Sequence, residues 1–152
     1  MFLWPAFVLG NILSSVPQTL HTSELMLQHK ENKIIYEVEE ALTPQQKQIG
    51  LMYREQMPQN HGMVFYNEEP KPMAMWMKNT YIPLDMLFAD KNGKIVCIFT
   101  DTKPHSLETL TCDKDVALTL ELNAGQVSLH KIELGDRIVH HLLEDSRTNE
   151  SK

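Results

Sequence analysis

The length, composition and charge of the chain fit one globular domain and exclude several classes of protein. It has 152 residues, of which 42% are hydrophobic and 22% charged, as in ordinary globular domains. Its net charge is -6, from 14 basic and 20 acidic residues. This balance argues against a nucleic-acid-binding protein, which normally carries a basic patch.

The first residues are patterned as a leader and not as part of the packed domain. Residues 1–18 are apolar as far as Leu13 and then become small and polar, which is typical of a secretory signal. The apolar run is shorter than the roughly 20 residues that a membrane-spanning helix needs. We therefore expect a periplasmic or extracellular protein. Because no Lys or Arg precedes the run, a retained membrane tether and a non-exported amphipathic segment stay open as alternatives.

The first part of the domain is predicted to contain one strand and one helix. Residues 19–32 are polar and weakly patterned, so we expect a linker between leader and domain. The alternating segment KIIYEVEEA that follows is typical of a half-buried strand. Thr43 then offers an N-cap, Pro44 fits the first helical position, and Gln46 completes a capping box. A helix of about two turns is predicted to end at Gly50.

The remaining segments are predicted to be mainly strands. GMVFYN and PMAMWMK are strand-like and are joined by a loop at EEPKP, and Asn92-Gly93 marks a hairpin turn between LDMLFAD and KIVCIFT. TKPHSLETLTCDKD is expected to be a crossing loop. It precedes the strand VALTLEL, the short and ambiguous VSLHKI, which is compatible with a single helical turn, and a last strand in GDRIVHHLL.

These elements predict an α+β, β-rich fold. We expect residues 33–143 to form a small curled antiparallel sheet or a partly closed barrel, with one or two short helices. Residues 144–152 have the composition of a disordered tail.

Sequence motifs of established chemistries are missing. There is no GxSxG, HExxH, P-loop or GxGxxG pattern. The histidines are scattered, and only His140 and His141 are adjacent. Because neighbours in a strand point to opposite faces, these two are not expected to bind one ion together. We therefore predict no metal site and no cofactor.

The two cysteines leave two interpretations open. In an oxidising compartment Cys97 and Cys112 could form a disulfide. Alternation in KIVCIFT places Cys97 on the same face as Ile95 and Phe99, as expected for a buried strand residue. Spacing alone does not show whether the two Cα atoms come within reach, so two unpaired structural thiols are the favoured interpretation.

Several polar residues are embedded in apolar segments. Arg54 follows GLMY, the triplet Lys78-Asn79-Thr80 follows Trp76-Met77, Asp85 follows Pro83-Leu84, and Glu121 lies within TLELNAG. A charge in such a place must be paired or open to a cleft, because burying it alone is costly. One interpretation is an ion-pair network that stabilises the fold. The other is a pocket that holds a polar or anionic ligand.

The order of six motifs resembles domain-of-unknown-function family 192, a bacterial and archaeal group with no established reaction. The motifs are GLMYRE, GMVFYN, WMKNTYIPLDMLFAD, GKIV, LELNAG and GDRI, and they span about residues 34–139. The resemblance implies a compact, β-rich domain of a family whose members are often exported. Relatives tend to have a Pro- and Cys-rich crossing loop, which this chain lacks, so a loop disulfide of their kind is in doubt. The candidate ligand-binding residues are Arg54, Trp76, Lys78, Asn79, Thr80, Asp85, Glu121 and Asn123.

The leading functional hypothesis is an exported domain that binds a small polar or anionic ligand, or a protein partner, at a cleft around Lys78, Asn79 and Thr80. The first alternative is a hydrolase or lyase-like enzyme that uses Lys78 or an Asp85–Glu121 pair as acid and base. The second is a structural accessory module of the cell envelope. Expected partners are a small molecule or an envelope protein and no nucleic acid, and a membrane is contacted only through an uncleaved leader.

Overall fold

The computed structural model describes residues 19–144, which form a curled, seven-stranded sheet. The strands are β1 (Thr22–His29), β2 (Asn32–Ala41), β3 (His61–Met75), β4 (Leu84–Ala89), β5 (Ile95–Phe99), β6 (Leu110–Asn123) and β7 (Arg137–Val139). Helices α1 (Pro44–Ile49) and α2 (Gln126–His130) lie in the connections, and a last helical turn covers residues 141–144. The predicted leader and nearly all of the predicted tail lie outside the described residues. Within 19–144, no helix has the length and apolar character that crossing a membrane requires.

The sheet curls until its two edges meet. The strand order is β5-β4-β6-β3-β2-β1-β7, and every neighbouring pair is antiparallel except β2 and β3. The edge strands are joined by main-chain hydrogen bonds, from Ile95 N to Asp136 O at 2.9 Å and from Ile138 N to Gly93 O at 2.7 Å. The predicted β-rich, curled sheet with short helices is therefore confirmed, with one parallel pair that the sequence did not indicate.

Residues 19–32 contain a strand, so the prediction of a linker there is wrong. β1 pairs with β2 along its whole length in a hairpin, and its other edge pairs with β7. Leu25 and Leu27 alternate toward the core and are fully buried. The apolar Met26 lies between these two leucines on the other face, so the sequence shows no alternation there.

Two predicted loops are partly strand as well. The EEPKP segment lies inside β3, which continues to Met75 with shifted pairing to β6 between Tyr66 and Met73. The second half of the predicted crossing loop, from Leu110 onward, belongs to β6. Both prolines of EEPKP, Pro70 and Pro72, are exposed and lie where the pairing is irregular, so their missing N–H groups break no regular ladder.

The local signals at α1 and at the β4–β5 hairpin are confirmed. Gln46 N donates to Thr43 Oγ1 at 3.2 Å, and Thr43 N donates to Gln46 Oε1 at 2.9 Å, which is the predicted capping box. Gly50 ends the helix with φ 49°. At the hairpin, the Asp90 carboxylate accepts the N–H groups of Asn92 and Lys94.

Both faces of the central strands are buried, in two apolar clusters. The inner cluster collects residues from all seven strands inside the curl, among them Leu25, Tyr36, Val64, Leu87, Ile95, Leu122 and Ile138. The outer cluster lies on the other face and includes Leu51, Met57, Met63, Phe65, Met77, Leu84, Met86 and Phe88. Leu51, Met57 and Met77 come from the loops after α1 and after β3, so these loops cover the outer face.

A disulfide joins Cys97 of β5 to Cys112 of β6, with the Cα atoms 6.0 Å apart. The alternative of two free thiols is therefore wrong. Cys112 is buried and belongs to the outer cluster. The bridge links the edge strand β5 to the sheet on the side that the loops cover.

Candidate functional site

The segment WMKNTYIPLD leaves β3 and forms a tight turn over the outer cluster. Thr80 N donates to Met77 O at 3.1 Å, and Asn79 in the turn has φ 52°, a conformation that Asn tolerates better than most residues. Met77 is buried, Lys78 is exposed, and Thr80 is buried again with its hydroxyl donating to Lys78 O at 3.1 Å. The polar triplet thus follows apolar residues because the chain turns there.

Lys78 makes no ion pair with any residue in the described part of the chain. Its Nζ lies 5.0 Å from the centroid of the Trp76 ring, and both side chains are exposed. A cation over the face of an indole ring is attracted by the negative potential of the ring. Lys78 is therefore held by Trp76 at the surface and belongs to no buried network.

Asn79 and Asn123 hold the loop of residues 51–58 against the sheet. The main-chain N–H of Tyr53 donates to Asn79 O at 2.9 Å, and Asn79 Nδ2 donates to the Tyr53 hydroxyl at 3.0 Å. Asn123 Nδ2 donates to Met57 O at 2.9 Å and also reaches Pro58 O. The amide groups of two predicted site residues are thus used inside the protein.

Arg54 fixes the same loop from the other side. Its guanidinium donates to the carboxylate of Glu39 in β2 and forms an ion pair with it. The pairing register places Glu39, Met63, Glu121 and Met86 in one row across β2, β3, β6 and β4. Arg54 therefore lies on the face that carries Glu121, but no hydrogen bond or ion pair joins the two.

Asp85 and Glu121 lie on opposite faces of the sheet. Asp85 is opposite Leu122, which belongs to the inner cluster, whereas Glu121 is opposite Met86, which belongs to the outer cluster. Residues directly opposite on neighbouring strands share a face. The hypothesis of an acid–base pair formed by these two carboxyl groups is therefore wrong, and so is the four-residue ion-pair network.

Asp85 serves as a structural acceptor. It is 1% exposed, and its two oxygens accept the main-chain N–H groups of Asp101 at 2.9 Å and of Val127 at 2.8 Å. These bonds fasten the loop after β5 and the start of α2 to β4. Burial raises the pKa of the Tyr36 hydroxyl, and the negative charge of Asp85 raises it further, to about 12.

Glu121 has neither a hydrogen-bond nor an ion-pair partner among residues 19–144. It is 4% exposed, and burial raises the pKa of its carboxyl to about 8. Thr119 lies two residues earlier on the same face, and its buried hydroxyl also lacks a partner in the described structure. Because an isolated buried carboxylate is costly, Glu121 is protonated at neutral pH.

Exposed aromatic rings gather where three loops meet. Tyr53 and Tyr81 contact edge to face with ring centroids 6.2 Å apart, and the Tyr81 and His105 rings are 5.1 Å apart. His105 N donates to Thr80 O at 3.1 Å, which joins the loop after β5 to the turn after β3. The exposed side chains Tyr53, Trp76, Lys78, Tyr81 and His105 are called the aromatic surface from here on.

The structure brings His21 next to the adjacent pair His140-His141. His21, His140 and His141 surround the buried carboxyl of Glu40, together with Ser23, and these five residues are called the Glu40 cluster. Ser23 Oγ donates to Glu40 Oε1 at 2.7 Å, His141 Nε2 lies 2.6 Å from the same oxygen, and His21 Nδ1 lies 3.2 Å from Glu40 Oε2.

The pKa values in the Glu40 cluster are shifted. Burial acts to raise the pKa of the Glu40 carboxyl, but the hydrogen bonds from Ser23, His141 and His21 outweigh it, and the pKa is lowered. Burial, reinforced by the neighbouring His141, lowers the pKa of His140 to about 4. At neutral pH Glu40 is therefore ionised and His140 is neutral.

The expectation that His140 and His141 point apart is wrong. Their ring centroids are 4.5 Å apart, because β7 ends at Val139 and a helical turn begins at His141, so the two residues do not follow strand alternation. No pattern along the sequence could have brought His21 and Glu40 to them, because β1, β2 and β7 meet only in the folded sheet.

Two surface depressions lie elsewhere on the protein. One, of about 400 Å³, is lined by His29, Lys30, Asn32, Ile34, Leu129, His130 and Lys131. The other, of about 320 Å³, is lined by Thr22, Ser23, Glu24, Ile35, Tyr36, Glu37 and Asn60. Neither contains a residue predicted to bind a ligand, so neither corresponds to the predicted Lys-Asn-Thr cleft.

Solved structures of other proteins resemble this chain in fold and sequence. No curated protein matches the chain. A crystal structure from Sinorhizobium meliloti 1021, of a protein to which a role as a transcription regulator has been ascribed, is 40% identical, with a TM-score of 0.79 over 81% of this chain and 96% of that one. A protein of unknown function from Novosphingobium aromaticivorans DSM 12444 is 25% identical, with a TM-score of 0.79 over 83% of this chain and 90% of that one.

Residues 26–140 match the model of domain-of-unknown-function family 192 (DUF192), described as "Uncharacterized ACR". The match includes every motif on which the resemblance was based and begins within β1. The chain belongs to this family of uncharacterised proteins.

Proposed function

We propose that the protein is an exported binding domain whose aromatic surface docks a partner protein of the cell envelope. The observation that carries the proposal is the contact of two exposed rings, Tyr53 at 60% and Tyr81 at 42% exposure, with centroids 6.2 Å apart. Trp76, at 46% exposure, lies in the same connection after β3 as Tyr81. Tyr and Trp are enriched at protein interfaces and supply most of the binding energy there.

The loops that carry the rings are fixed before any partner arrives. Main-chain hydrogen bonds join Tyr53 to Asn79, Met77 to Ser106 and His105 to Thr80. A surface that is already ordered loses less conformational entropy on binding than a flexible one. The motif residues therefore support the proposal by positioning the rings.

A small polar or anionic ligand fits the site less well than a protein does. Such a ligand needs several converging donors or acceptors in a concave site. Here the Asn79 amide is bonded to Tyr53 and the Thr80 hydroxyl to Lys78 O, so only the ammonium of Lys78 remains open among the triplet. An extended partner that covers exposed rings requires no such convergence.

Export is supported by two independent features. The apolar leader of residues 1–18 has the pattern of a secretory signal, and the Cys97–Cys112 disulfide is of the kind that persists in oxidising compartments. The role in transcription ascribed to the Sinorhizobium meliloti relative is not carried over. A net charge of -6 opposes binding to the phosphate backbone of DNA.

The proposal is tested by photo-crosslinking in cells that produce the full chain. Tyr81 is replaced by the photoreactive residue p-benzoylphenylalanine, and the matched control carries the same replacement at Leu129, which is 68% exposed on α2. We expect a discrete protein adduct from position 81 and none of that size from position 129. Adding Trp76→Ala to the position-81 variant should remove the adduct.

Three results would count against docking at the aromatic surface. They are equal labelling at both positions, an adduct that persists with Trp76→Ala, and an adduct whose mass is that of a small molecule or of a second copy of the chain. Thermal melts of the Trp76→Ala chain show in parallel that the fold is kept, as expected for a half-exposed side chain.

A further inference from the structure

We propose that the Glu40 cluster binds a divalent transition-metal ion, Zn²⁺ in the first place, through His21 Nδ1, a Glu40 oxygen and His141 Nε2. These three side chains bring their ligand atoms within 4.8 Å of one another. Two imidazole nitrogens and a carboxylate are an established ligand set for zinc. The site shares no residue with the aromatic surface, because it is built from the start of the described chain, the end of β2 and the residues after β7.

The spacing of the ligand atoms suits a tetrahedral ion. Zn–N and Zn–O bonds of about 2.0–2.2 Å place neighbouring ligand atoms about 3.3–3.6 Å apart in a tetrahedron. His21 Nδ1 lies 3.2 Å from Glu40 Oε2, and His141 Nε2 lies 2.6 Å from Glu40 Oε1, at hydrogen-bonding distance. A metal would replace the protons that these nitrogens now share with the carboxylate, and the exposed rings of His21 and His141 have room to adjust to it.

Ser23 and His140 orient the carboxylate from behind. Ser23 Oγ donates its proton to Glu40 Oε1 at 2.7 Å. Ser23 Oγ must therefore accept the hydrogen bond from His140 Nε2, which lies 2.8 Å away. This assignment leaves His140 Nδ1 without a proton, which agrees with its lack of any partner within the described residues. Hydrogen-bonded groups behind a ligand are a regular part of metal sites, because they fix the direction of its lone pairs.

The cluster is open to solvent on the side of the two ligand imidazoles. The side chain of His21 is 70% exposed and that of His141 is 45% exposed, whereas Glu40 is 3% exposed. A metal ion can therefore enter from water, and one coordination position is left for a water molecule. Three protein ligands with an open fourth position are the arrangement of zinc sites that exchange a ligand.

A second group with metal-ligand chemistry is less suitable. His29, Glu133 and Asp136 also come together. However, Asp136 Oδ2 already accepts both His29 Nδ1 and the main-chain N–H of Glu133, each at 2.8 Å, which closes the turn before β7. A metal here would have to break a structural turn, so this group serves as an internal control for the site.

The test uses the full chain, purified without a histidine tag and treated with a chelator. Isothermal titration with ZnCl₂ should give one strong site per chain, and zinc should raise the melting temperature. Titration with Co²⁺ should produce the visible absorption of a tetrahedral nitrogen–oxygen site. His21→Ala is the main variant because that side chain is largely exposed and its removal leaves the core intact.

His21→Ala, His141→Ala and Glu40→Gln should each weaken zinc binding by at least about 10-fold, since even changes behind the ligands have effects of that size. Glu40→Gln keeps the shape of the side chain, and its circular dichroism shows whether the fold is retained. The matched controls His61→Gln and His29→Gln should keep the wild-type affinity. Unchanged zinc binding in His21→Ala and His141→Ala, or loss of binding in His29→Gln, would overturn the proposal.

Discussion

The carboxylate of Asp85 in β4 accepts the main-chain N–H of Val127 in α2 at 2.8 Å, and its other oxygen accepts Asp101 N at 2.9 Å. A residue that the sequence marks as a candidate catalytic acid therefore joins three parts of the fold. A polar residue is needed inside this apolar segment because the main-chain N–H groups of two connections require hydrogen-bond acceptors where they cross the sheet.

Asp85→Asn should destabilise the protein strongly. An amide presents one acceptor and one donor, so at least one of the two main-chain N–H groups would face an N–H group. Hydrogen bonds to a charged group contribute about 1.5–3 kcal/mol each, and we expect a loss of about 3 kcal/mol in the free energy of unfolding. Urea melts of Asp85→Asn, with the exposed Asp113→Asn as control, measure it. A loss no larger than in the control would mean that Asp85 does not hold these connections.

Glu121 should make the stability depend on pH. Its pKa of about 8 in the folded protein lies above the ordinary value, so the folded state binds more protons than the unfolded state between about pH 4.5 and 8. The stabilisation due to the bound proton is present below that window and is lost as the pH rises through it. Above about pH 8 no further loss is expected from this group.

Glu121→Gln tests this directly, because glutamine has the shape of the protonated acid. The variant should match the wild type near pH 5 and exceed it near pH 9, by a difference on the order of a few kcal/mol. Guanidinium melts of both chains at several pH values measure the difference, and the exposed Glu37→Gln should show none. A constant difference across the range would contradict a raised pKa for Glu121.

The local elements could be predicted from the sequence, because their causes are local. The Thr43 capping box needs only Gln46 three residues later, and the β4–β5 hairpin needs only Asn92-Gly93. Strand β1 is hidden in the sequence because the apolar Met26 separates Leu25 from Leu27 and leaves no polar–apolar alternation.

Which residues meet at the candidate site depends on the pairing register of the strands, and the sequence pattern does not determine that register. Strand β4 is buried on both faces, so no hydrophobic pattern tells which face Asp85 takes. Pairing with β6 decides it and separates Asp85 from Glu121. The Glu40 cluster likewise depends on how β1 pairs with β2 and β7.

Reducing the disulfide should lower the stability without unfolding the sheet. Cys97 and Cys112 are 15 residues apart in sequence, and closing a loop of that length contributes about 3 kcal/mol in the chain-entropy model. Urea melts with and without dithiothreitol should differ by about that amount. The double variant Cys97→Ala/Cys112→Ala should not respond to the reductant. Equal melts of the wild type in both conditions would mean that the bridge does not form in solution.

Lys78→Met separates a surface role from a buried one. The ammonium of Lys78 lies over the exposed Trp76 ring and has no carboxylate partner within residues 19–144, so its charge contributes little to the fold. Cation–π contacts at exposed positions contribute about 0.5–1 kcal/mol, and the variant should lose no more than about 1 kcal/mol in the free energy of unfolding. Denaturant melts followed by circular dichroism measure this loss, since tryptophan emission itself will respond to the change beside Trp76.

The exposed Lys114→Met is the control and should stay within about 0.5 kcal/mol of the wild type. A loss above about 3 kcal/mol would show that Lys78 neutralises a buried carboxylate in solution, because that is the scale on which breaking a buried pair acts. With the fold intact, the same variant introduced into the chain that carries the crosslinker at position 81 shows whether the charge also contributes to partner docking.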